Sequence, residues 1–149
     1  MAAGTAALAA LLPDAPWEQR VGAQLEALRQ SLRARTGAPA LLAASPALLS
    51  PAALALMERL QRTLDAAGVA PAERAVAADT LLSYVTGFVL QEQSDSATPV
   101  DAERAADLAA RYPLTVAGDP DPDAMFGTSL RLLYAGIATL IRAPDPTRR

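Results

Sequence analysis

The sequence predicts an all-α fold, an irregular bundle of about six helices. Three observations lead there. Alanine, leucine and arginine dominate while aromatics make up only 4% of the 149 residues, which is a composition of good helix formers. Apolar residues recur at steps of three and four, the spacing that lines one side of a helix. Pro, Gly and Asp punctuate the chain at intervals suited to helix starts and stops.

After Asp14 and Pro16, the first helix carries Trp17, Val21, Leu25, Leu28 and Leu32 on a single apolar face, with Glu18, Arg29 and Arg33 placed off it. "RTGAP" ends this helix at Gly37, and "PALLAAS" predicts a short helix of about two turns. In "SPAALALMERLQRTLDAAG", Ser50 is the N-cap, Pro51 the first helical residue and Gly68 the stop. Its stripe is Leu56, Leu60 and Leu64, with Leu54 and Met57 beside it. The next helix starts at Pro71 and reaches Gln93, and "SDSA" follows as a polar linker. In "TPVDAERAADLAARYP", Thr98 caps, Pro99 leads and Asp101 stands three residues on, an acidic form of the capping box that Pro113 closes. Asp121-Pro122 opens the last helix, which carries Phe126, Leu130, Leu133, Ile137, Leu140 and Ile141.

The chain has 13 Lys and Arg against 16 Asp and Glu, a net charge of −3 with no clustered basic patch, so DNA or RNA binding by this chain alone is not expected. It has no cysteine and no histidine, which excludes disulfides, Ser-His-Asp and Cys-His catalysis, and zinc sites built on those residues. No apolar run approaches the ~18 residues that span a bilayer. The opening "MAAGTAALAALLP" lacks the basic start of a secretory signal. A cytoplasmic protein with no cofactor, no metal and no membrane contact is the expectation.

Two segments are apolar over most of their circumference: Leu81–Leu90 and "SLRLLYAGIATLI". Such helices need cover on more than one side. A homodimer meeting through a four-helix bundle supplies it, with Gly87 and Gly136 allowing close approach and Val85 and Ile137 as candidate contacts. A single central helix in a monomer is the alternative. Asp79, Ser83, Thr86 or Gly87, and Gln91 form a narrow polar stripe. Either it lines a cavity, or Asp79 and Gln91 face solvent while Ser83 bonds back to its own helix.

"RTGAPALLAASP", "AAGVAPAERA", "LLSYVTGFVLQEQ" and "MFGTSLRLLYAGIATLI" resemble, in order, the C-terminal ligand-binding domain of the tetracycline-repressor (TetR) type. The resemblance runs from about Pro16 to Ile141. It divides the chain into an alanine-rich lead-in (1–15), a ligand-binding and dimerisation domain (16–143) and a tail (144–149). It implies an all-α dimer with the bundle at its interface and an internal pocket for a lipophilic small molecule. Family members begin with a three-helix DNA-binding domain for which this chain has no room; the lead-in resembles a remnant of the connecting helix.

The pocket positions follow from the same resemblance. Leu41 stands where tetracycline-binding members place a magnesium-coordinating histidine, and Ser45 lies in the next turn, between Ala44 and Pro46. Met57 falls where the following helix reaches the pocket. Ser83 and Gln91 replace a histidine and a glutamate near the metal, and Asp79 shares their stripe. A hydroxyl and an amide are poor magnesium ligands, so a metal-free, antibiotic- or metabolite-like ligand is expected. The implied function is the ligand-binding part of a transcription regulator. A free-standing metabolite-sequestering protein, or a biosynthetic enzyme such as a cyclase, shares the same fold; in an enzyme, Asp79, Tyr84 and Tyr134 are the candidate acid–base groups.

Overall fold

The computed structural model describes residues 14–44, 50–95, 100–117 and 121–142. These form seven helices: α1 (Trp17–Arg33), α2 (Ala38–Ala44), α3 (Pro51–Ala66), α4 (Pro71–Asp95), α5 (Ala102–Arg111), α6 (Pro113–Val116) and α7 (Pro122–Ala138). The all-α expectation holds, with one short helix more than the sequence predicts. Pro113 does close α5, but it also sits at the first position of α6, where its missing N–H is no loss.

Most helix ends follow the sequence signals. Ser50 Oγ accepts from the Ala53 N–H, and an Asp121 carboxylate oxygen accepts from the Ala124 N–H at 2.9 Å. The start of α5 differs. Val100 is not helical and Asp101 is itself the N-cap, its carboxylate accepting from the Arg104 N–H at 2.8 Å. A carboxylate is as good a cap as a hydroxyl, so Asp101 stops the helix short of Thr98 and Pro99, which lie outside the described residues. Gly68 ends α3 at φ 99°, and a Cβ there would stand 3.3 Å from the Arg142 carbonyl. That close approach lets Val69 and Ile141 form an isolated antiparallel bridge, tying the end of α3 to the chain beyond α7.

α4 is the hub: it packs against α1, α2, α3 and α7. Ala77, Ala78, Leu81, Val85, Phe88 and Val89 of α4 meet Val21, Leu25 and Leu32 of α1, Leu60 and Leu64 of α3, and Phe126, Leu130 and Ile137 of α7 in one core. Cover on three sides explains why Leu81–Leu90 is apolar over so much of its surface. Val85 and Ile137 are therefore core residues of the chain itself, not outward contacts. By contrast α5 and α6 pack on each other and bury no residue in this core, although Tyr112, Leu114 and Val116 are apolar and exposed.

Candidate functional site

Asp79, Ser83, Gly87 and Gln91 are all exposed and follow one another at steps of four, on the side of α4 turned away from Leu81, Val85 and Val89. Thr86 is the buried polar group of the stretch, and its hydroxyl donates to the Leu82 carbonyl one turn back at 2.8 Å. The back-bonding considered for Ser83 thus occurs at Thr86, where burial makes it necessary.

Two of the other expected pocket residues lie on α2 and α3. Leu41 on α2 is 71% exposed, Met57 on α3 is half-buried against the core, and Ser45 lies outside the described residues. Two open grooves of about 520 and 510 Å³ run instead between α1 and α7. Glu26, Arg29, Arg33, Asp123 and Phe126 line the first, and Gly22, Gly127, Leu130 and Tyr134 the second. Neither contains Leu41, Met57, Asp79, Ser83 or Gln91.

The candidate acid–base groups are also separate. Tyr84 packs among Phe88 and Phe126, with ring centroids 5.7 and 5.9 Å away, and Tyr134 meets Trp17 edge-on at 5.5 Å. Both hydroxyls are buried and unpaired, so no hydrogen bond joins Asp79 to either. Gly22 makes room for one of them, since a Cβ there would stand 3.0 Å from the Tyr134 oxygen. Burial, followed by the nearby Glu18 charge, pushes the Tyr134 hydroxyl up to about 12, so it stays protonated through the neutral range. It can donate a proton in a hydrogen bond but is a poor base. Gln24 presents a further unpaired buried group at the α1–α3 seam: its amide nitrogen donates to Thr63 Oγ1 at 3.1 Å while its oxygen finds no partner. Among the described residues, no group of three or more His, Cys, Asp or Glu could hold a metal ion, and no helix is long and apolar enough to cross a membrane.

The largest polar constellation was missed from sequence. Arg29 is 2% exposed, and it lies between the rings of Phe88 and Phe126 at 5.2 and 4.6 Å. Its guanidinium donates to both oxygens of Glu92, at 2.6 and 3.2 Å, and pairs with Asp123 at 2.8 Å and Glu26 at 3.7 Å. The Glu92 hydrogen bonds, outweighing desolvation, raise its already high pKa. Next door, the Gln93 amide donates to the Leu32 and Arg35 carbonyls and accepts from the Gly37 N–H, satisfying the end of α1. "QEQ" is therefore a joint: Glu92 and Gln93 fasten the end of α4 to α1, while Gln91 points outward. One signal for Arg29 was present. Val21, Leu25 and Arg29 are spaced by four, so Arg29 continues the buried stripe.

The family model described as "Tetracyclin repressor-like, C-terminal domain" matches residues 10–141. The chain belongs to this family. A possible TetR family transcriptional regulator from Streptomyces coelicolor A3(2) is similar in structure, with TM-score 0.74 and 27% identity over 91% of this chain and 71% of that one. BioQ of Mycobacterium smegmatis has TM-score 0.63 and 30% identity over 85% of this chain. This TetR-type chain spans 63% of the length of BioQ. No curated protein matches. The matched span, 10–141, agrees closely with the Pro16–Ile141 extent of the resemblance.

Proposed function

We propose that this chain is the small-molecule-binding and dimerisation part of a TetR-type transcription regulator, working in the cytoplasm and binding a lipophilic ligand without a metal ion. The observation that carries this reading is the outward surface of the two central helices. α4 exposes Val76, Ser83, Gly87 and Leu90, and α7 exposes Leu132, Ala135 and Gly136. Cβ atoms added at Gly87 or Gly136 would meet nothing within 4 Å, so both faces are open to close approach by another helix. A second copy placed there completes a four-helix bundle.

A second copy would also change the surroundings of the expected site residues on α4. Asp79, Ser83 and Gln91 lie on the face assigned to the subunit contact, so any contact they make with a ligand depends on the pair. Leu41 and Met57, on α2 and α3, would line the side of the pocket that the same chain supplies. Family membership supports ligand binding, and neutral Leu41, Ser83 and Gln91 favour a ligand that brings no magnesium. With a net charge of −3, this chain alone is not the DNA reader.

Titration with an environment-sensitive apolar dye tests the ligand claim, because such dyes brighten in dry pockets. Saturable binding at one site per chain or per pair, unchanged by EDTA, is the expected result. Absence of saturable binding, or its loss in EDTA, contradicts the reading.

A further inference from the structure

Arg29 sits where three helices converge. It belongs to α1, Glu92 lies near the end of α4 and Asp123 lies in the first turn of α7. Its two main partners are unequal. Glu92 is only 13% exposed and grips the guanidinium with both oxygens, whereas Asp123 is 74% exposed and makes a single contact. Phe88 and Phe126 hold the guanidinium plane from α4 and α7, so the cation stays in place whether or not Asp123 is engaged. The charged groups facing it are Glu26 from its own helix, Glu92 from α4 and Asp123 from α7.

We propose that Arg29, Glu92 and Asp123 form a latch in which Glu92 fixes the guanidinium and Asp123 is the releasable catch that holds the first turn of α7 against α1. The asymmetry follows from solvent. A buried, two-point charge pair is costly to break because it leaves an unpaired charge behind. A water-exposed carboxylate exchanges its partner for water at small cost. Release frees only the start of α7, since Phe126, Leu130 and Ile137 remain in the core. The device therefore lets one end of a helix open while the body stays folded. It does not depend on which ligand the protein binds.

Asp123 has a second way to steady α7, because a carboxylate in a first turn also interacts with the helix dipole. Hydrogen–deuterium exchange on three forms of the full chain separates the two. In Asp123→Ala, the amides of the first two turns of α7 should exchange about two- to five-fold faster, the range of a weak exposed ion pair. The urea midpoint should not move. In Asp123→Ala/Ala124→Asp, the carboxylate stays in the first turn but moves about 100° around the helix, away from Arg29. This form should exchange as fast as the single variant. Three results overturn the latch: unchanged exchange in Asp123→Ala, restored protection in the transposed form, or equal acceleration throughout α1 and α4.

Discussion

At the scale of single residues, burial decides which polar groups matter. Arg29, enclosed by two phenylalanines and bonded through both oxygens of Glu92, is the side chain whose truncation should hurt most. Arg29→Ala takes the guanidinium away from Glu92 and opens space between the rings, and urea unfolding should register a loss of about 3 kcal/mol or more. Replacing both members with methionine removes both buried charges together, so Arg29→Met/Glu92→Met should fall within about 1 kcal/mol of the original protein. Tyr134 gives the opposite case. Its hydroxyl is buried without a partner, so Tyr134→Phe should leave stability unchanged or raise it by up to about 1 kcal/mol. The hydroxyl's affinity for its proton is raised in the folded state, so its contribution is intact below about 10, the unfolded value, and is lost as pH rises through about 12. Melting temperatures followed across that window should fall more steeply in the original protein than in Tyr134→Phe. None of this was fully legible in the sequence. An arginine in an amphipathic helix reads as solvated by default, and only its distant partners Glu92 and Asp123 reveal otherwise.

At the scale of helices, the sequence was more informative, because caps and stripes are local signals. Ser50, Pro51, Gly68, Pro71 and the Asp121-Pro122 pair all mark the ends they suggest. The start of α5 was misread since two good caps, Thr98 and Asp101, compete within one turn, and composition alone does not rank them. The place of α4 was legible too: a helix apolar over most of its surface is the one that touches four neighbours. What could not be read was which side stays bare, because Ser83, Gly87 and Gln91 are compatible with either a cavity or an outer face. Helix α5 buries nothing in the core, so its cap should matter locally rather than globally. Asp101→Ala should reduce the protection of α5 amides by about 1 kcal/mol in hydrogen exchange, while the urea midpoint of the core stays where it was. A shift of the whole unfolding curve would mean that α5 is part of the cooperative core after all.

At the scale of the molecule, the chain is well packed inside yet bare on two helix faces. Leu132 is 71% exposed and Leu114 is 96% exposed, and glycines with empty space above them lie on both α4 and α7. The fold class and the family were within reach of the sequence because the four matching segments span nearly the whole domain. The ligand site was not, because a polar stripe such as Asp79, Ser83 and Gln91 on α4 reads equally well as a cavity wall or as an exposed face. Sedimentation equilibrium at micromolar concentration tests the central claim most directly, using the original protein and the surface variant Leu132→Arg. Leu132 contributes nothing to the buried core, so the variant should keep its helical circular dichroism. The account predicts a mass of twice 15.4 kDa for the original protein and 15.4 kDa for Leu132→Arg. A monomer in the original protein, or a dimer that tolerates arginine at both Leu132 and Gly87, would contradict it.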